Sequence, residues 1–208
     1  MLFSLLLLGI AGLSLTAAAA VVSSPISDGL ENYQIVDMQW ELQAFPSGPS
    51  VLLNGTIEEA HQQLLAINPN YDAQLPAVFS DHNATENLPV LDSRMASFSR
   101  HHCPPPGSYC SPMRIKEGID YLYRVSGRPR HMPGPATCSR VSCSWNSAIY
   151  WCNDNTHDIE LSSFGEIADG AQYVADHCTF TVDNAYKCVS GQAFHHDNWN
   201  VLVRKDNC

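Results

Sequence analysis

"CSRVSCSWNSAIYWCNDN", residues Cys138 to Asn155, sets three cysteines and two tryptophans in eighteen residues, and what the sulfur does there decides how the chain folds. Three uses compete: a metal site, a reactive thiol, or covalent clamps on an extracellular domain. Structural zinc sites show short paired spacings such as C-x2-C, repeated or followed by histidines. Here the gaps between cysteines are 6, 27, 4, 8, 25, 9 and 19 residues, with no C-x-x-C. A catalytic thiol would be an unpaired cysteine beside a base. The cysteines are Cys103, Cys110, Cys138, Cys143, Cys152, Cys178, Cys188 and Cys208, an even count that favours disulfide clamps. No metal and no cofactor is expected. Spacing does not choose the pairing. Proximity favours Cys103 with Cys110 across the stiff "PPPG" loop; Cys178 is expected to tie a helix to a neighbouring strand, and Cys208 to return into the sheet.

Outward from this stretch, "SPMRIKEGIDYLYRV" carries Ile115, Ile119 and Leu122 at helical spacing, with Gly127 as its stop. The prolines of Ser126 to Thr137 exclude regular structure. On the other side, Ser163 and Glu166 form a capping-box signature for a helix in which Ile167, Ala171, Val174 and Cys178 make one buried stripe. "VSGQAF" and "WNVLVRKDNC" then read as paired strands joined through His195 to Asn198. The order strand, helix, strand, strand predicts an α+β fold: a small disulfide-stapled α/β sandwich with an antiparallel sheet and helices on one face.

All eight cysteines lie from Cys103 onward, which divides the chain into residues 1–20, 21–102 and 103–208. The first, inside the uncharged run Met1 to Val22, has the apolar core and small-residue end of a secretory signal, although its length also suffices for an uncleaved anchor. The second reads as an acidic N-terminal extension or a propeptide. It holds one strand in Tyr33 to Phe45, a helix capped by Thr56 and Glu59, and a polar linker from Asn70 to Arg100. It also carries two glycosylation acceptors, Asn54 and Asn83, which agree with passage through the secretory pathway. The formal net charge of −10 argues against nucleic acid and anionic membrane as electrostatic partners.

Candidate functional residues fall into two sets. Trp145 and Trp151 differ by an even number of positions, so on one continuous strand they share a face, either as core or as an aromatic platform for a sugar ring or a partner's pocket. His195, His196 and Trp199 at the hairpin tip complete the candidate binding surface, with exposed turn histidine as the ordinary alternative. The chain has neither H-E-x-x-H nor G-x-S-x-G, and no catalytic residue is assigned. A secreted hydrolase would have to use scattered groups such as Asp154, Asp158 or Asp169.

"SSFGEIADGAQYVADHC" followed by "VSGQAFHHDNWNVLVRKDNC" resembles the closing half of small secreted fungal proteins, the killer toxins of smut fungi and the necrosis-inducing effectors. The extension before Cys103 and the acidic balance depart from a compact killer toxin. The resemblance implies a non-enzymatic, disulfide-stapled α/β sandwich that acts outside the producing cell on a host or competitor. A monomer is expected, with a host or competitor protein or a cell-wall glycan as its partner. A secreted hydrolase and a carbohydrate-binding module remain the competing classes.

Overall fold

A computed structural model describes residues 30–74, 97–104 and 109–208 of the 208-residue chain. The signal expected at 1–20 and the acceptor Asn83 lie outside the described residues.

The frame is a six-stranded sheet in the order β1 (Gln34–Val36), β6 (Thr137–Ser144), β7 (Ser147–Asn153), β12 (Trp199–Lys205), β11 (Gly191–His195) and β4 (Phe98–His102). All neighbours are antiparallel except β1, which runs parallel to β6. Three two-stranded ribbons surround it: β2 (Gln39–Gln43) with β3 (Ser50–Asn54), β5 (Arg130–His131) with β8 (Ile159–Glu160), and β9 (Thr179–Val182) with β10 (Tyr186–Val189). The helices are α1 (Ile57–Ile67), α2 (Tyr71–Gln74), α3 (Pro112–Arg124) and α4 (Gly165–Cys178). The fold is the mixed α+β class that the alternating patterns imply.

Alternation along the strands divides the core. Ile149 and Trp151 of β7, with Val201 and Val203 of β12, face α3 and α4 in the main cluster. Tyr150, Cys152 and Leu202 face the other way into a small second cluster covered by Leu30 and Tyr33. Covered on both faces, β7 is buried at every position, which fits a central strand read as a continuous apolar run. Close approach of the helices depends on two glycines. A Cβ on Gly118 would lie 2.5 Å from Ser142 Oγ, and one on Gly170 would lie 2.5 Å from a Val201 methyl and 2.8 Å from Phe98.

Residues before Cys103 are built into this frame, since both outer strands of the large sheet, β1 and β4, precede it. Trp40 stacks on Phe164 with centroids 4.7 Å apart, and Glu58 of α1 accepts from Ser142 Oγ (2.6 Å) and Cys143 N (3.0 Å) on β6. Position 103 therefore marks where cysteines begin, and the packing runs through it. The linker reading fails at both of its ends: Tyr71 in α2 is buried, and 98–102 pair with β11.

Local expectations were met unevenly. The Thr56–Glu59 capping box is present at the start of α1. At α4 the partner shifts by one residue: Glu166 accepts from Ser162 N and Oγ, while Ser163 makes no cap and Phe164 holds the N-cap position. The strand expected over Tyr33 to Phe45 splits, because Met38, Trp40, Leu42 and Ala44 alternate into the core whereas Ile35 lies out of phase and exposed. The proline-rich stretch yields the two-residue strand β5, seated against β8.

Three disulfides are present: Cys103–Cys178, Cys138–Cys152 and Cys143–Cys208. Cys178 joins the end of α4 to the residue after β4, and Cys208 returns the C-terminus to β6. Cys138 and Cys152 are directly opposed on β6 and β7. The separations of 75, 14 and 65 residues correspond in the chain-entropy account to about 4.5, 3 and 4 kcal/mol respectively. The expected Cys103–Cys110 bridge is not formed. Cys110 is instead held by reciprocal backbone bonds with Val189, each 3.0 Å, while β4 carries Cys103 to α4. Cys110 and Cys188 are buried thiols, so the full set of eight bridged cysteines is corrected to six. Burial pushes the Cys110 thiol up to about 12.

Candidate binding surface

The opening stretch folds as the β6–β7 hairpin. Ser144 pairs with Ser147, which leaves Trp145 and Asn146 as a two-residue loop. Their φ angles are +47° and +59°. A right-twisted hairpin favours such a left-handed loop, and Asn and Gly occupy it readily. Trp does not, because a left-handed L-residue costs roughly 1–2 kcal/mol. Burial returns nothing here, since Trp145 is 76 % exposed.

Around this indole lies a shallow groove of about 390 Å³ with Tyr109, Trp145 and Tyr186 on its walls and Lys187 and Lys205 on its rim. Tyr186 begins β10 and is 71 % exposed. Tyr109 meets Phe180 edge to face at 5.6 Å, which ties that wall to β9. The Arg114 guanidinium sits 5.1 Å from the Trp145 ring centroid and is held from behind by Glu117 at 2.8 and 3.0 Å. The buried Cys110 and Cys188 form part of the floor. A basic, aromatic groove of this kind can stack on ring faces and pair with anions.

Trp151 is not part of it. The turn at Trp145 interrupts the strand, so even spacing no longer places the two indoles on one face. Trp151 is fully buried against His131 at 5.0 Å. Trp199 is buried as well, and lies under His195 with centroids 4.3 Å apart and planes 18° from parallel. Both tryptophans are withdrawn from the expected exposed surface, whereas Trp145 stays.

The far end of β12 forms a second concavity of about 200 Å³, which brings His195 and Trp199 of the hairpin-tip set together with Asp169, named separately as a hydrolase candidate. Phe98 stands edge-on to both His195 (5.2 Å) and Trp199 (5.3 Å), and Glu166 contributes a second carboxylate. Asp169 is buried and accepts from Tyr123 Oη at 2.6 Å. Burial pushes His195 below the ordinary imidazole range, against the raising effect of Asp197. Asp197 N donates to His195 Nδ1 at 3.1 Å, so the neutral ring carries its proton on Nε2.

The remaining candidates are dispersed. Asp154 accepts from Asn200 Nδ2 at 2.7 Å in a polar network with Tyr33 on the opposite sheet face. Asp158 pairs with Arg130 at 3.0 Å on the surface. His196 is exposed, its N–H donating to Ser97 O at 3.2 Å. Asn54 is exposed at the end of β3. Among the described residues, no group of three or more His, Cys, Asp or Glu could hold a metal ion, and no helix is long and apolar enough to cross a membrane. Tyr109, Tyr186, Lys187 and Lys205 were missed by sequence reasoning; the only local signal was the Asp183–Asn184 turn ahead of Tyr186.

No family model, curated protein or solved structure matches the chain.

Proposed function

We propose that this is a secreted, effector-like or toxin-like protein that acts by binding outside the producing cell, with the Trp145 turn and its groove as the contact surface. The observation that carries this reading is the exposed indole held in a left-handed conformation that Asn or Gly would adopt at lower cost. Three disulfides and two glycosylation acceptors support export. Labelled protein applied to host tissue or to competing microbes tests the proposal. Wild type should bind cell surfaces, and Trp145→Ser should lose that binding while keeping an unchanged thermal melt. Equal binding by the variant would refute the assignment.

A hydrolytic reading draws on the second concavity, where Glu166, Asp169 and His195 share one water-accessible space beside aromatic walls. Turnover of any polysaccharide or ester that Glu166→Gln and His195→Phe both abolish would move the protein into that class.

A further inference from the structure

We infer that the ligand of the Trp145 groove is an acidic polysaccharide, a polymer of uronic acid units; this rests on the binding reading above. The argument begins with charge. The chain carries 21 Asp and Glu against 11 Lys and Arg, yet the groove is lined by two of its three lysines, Lys187 and Lys205, and by no acid. Both lysines are exposed. On a surface of net charge −10, the Trp145 groove is basic, whereas the second aromatic concavity holds Glu166 and Asp169; the first therefore selects an anionic ligand against the protein's overall field.

Ring chemistry narrows the class. Trp145 and Tyr186 present faces at 76 % and 71 % exposure, and such faces pack on the apolar C–H surface of a pyranose. The lysine ammonium groups of the same groove then meet the carboxylates of a uronate. A neutral glycan would use the rings but leave the lysines without purpose.

Area favours a polymer for contact through the groove alone. A large aromatic residue offers about 150–250 Å², so Trp145, Tyr186 and half-buried Tyr109 by themselves fall short of the ~800 Å² per side of a standard protein interface. A polymer does not need that area, because repeated units raise the effective concentration at each groove.

The probe is polygalacturonate, with its methyl-esterified form and a neutral β-glucan as controls, in affinity electrophoresis of the whole exported protein at low and high salt. Retention by polygalacturonate is expected. It should weaken about tenfold at 0.5 M salt and in Lys187→Glu/Lys205→Glu, as exposed ion pairs do when screened or reversed. Trp145→Ser should weaken it in both salts, and esterification should remove most of it. Lys187→Gln/Lys205→Gln serves as a milder pair should the reversal disturb folding, which thermal melts would reveal. Absence of retention, retention unchanged by either lysine pair, or equal retention by β-glucan would overturn the uronate assignment. If Trp145→Ser nonetheless abolishes cell-surface binding, the contact surface stands and the ligand class alone falls. If wild type binds neither probe nor cells, both fall.

Discussion

The indole of Trp40 lies on the ring of Phe164, centroids 4.7 Å apart and planes 18° from parallel. Trp40 comes from the segment before the first cysteine and Phe164 from the start of α4, so the contact joins the two halves of the chain at the level of the core. Trp40 Nε1 also donates to Gly55 O at 2.8 Å, which leaves no polar penalty for burying the ring completely.

Replacing Trp40 by Ala is therefore expected to cost about 3–5 kcal/mol, as for a large aromatic side chain removed from a packed core. Urea unfolding followed by fluorescence of the remaining tryptophans would measure it. A loss below about 1 kcal/mol would show that the N-terminal segment rests loosely on the domain.

Trp145 and Trp151 should respond with opposite signs. Trp145→Gly relieves a left-handed L-residue and should raise stability by about 1 kcal/mol, or a few degrees in Tm. Trp151→Ala empties a fully buried site and should lower stability by about 3–5 kcal/mol. Calorimetry of both variants tests whether the exposed indole is maintained at the expense of stability.

Two imidazoles, buried His131 and partly buried His195, set an acid limit. Burial pushes both His131 and His195 below the ordinary range. A histidine whose folded pKa is depressed contributes stability that is complete above its unfolded value near 6.5. That contribution disappears as the pH falls through the lower folded value. Stability measured from pH 7 to pH 4.5 should thus decline, and His131→Phe with His195→Phe should flatten the decline. An unchanged slope would exclude these two rings as its source.

Cys110 and Cys188 should resist iodoacetamide in the folded protein at pH 8, since both are buried and the Cys110 thiol is pushed up to about 12. In urea without reductant, mass spectrometry should find two labels per chain, and the three disulfides should stay closed. No label in urea would mean that these two sulfurs are joined in the purified protein. Rapid labelling of the native protein would mean that the groove floor opens.

Much of the fold was legible because periodicity survives where one face is buried. The stripe of α4 and the strands from Gly191 to Lys205 could be read directly, as could the Thr56–Glu59 cap. What sequence could not supply was long-range placement. The return of Phe98 to His102 onto β11 depends on antiparallel pairing across a separation of about ninety residues, for which a polar five-residue segment gives no periodic signal. Cysteine pairing failed for the same reason: Cys103 and Cys110 are close along the chain, but β4 directs one to α4 and Val189 retains the other. At the candidate site, Trp145 was visible as an aromatic residue, but its two-residue turn was not separated from the strand. Lys187 and Lys205 come from different hairpins and meet only through the fold.

The placement of β1 and β4 at opposite margins of the large sheet has a consequence for maturation. Were a protease to excise the segment ahead of Cys103 and release it, β6 and β11 would each bare a row of unsatisfied amide and carbonyl groups. Such borders pair with whatever strand they meet, so a trimmed molecule would tend to join end to end with its neighbours. The N-terminal residues thus act as bookends that cover both margins of the sheet.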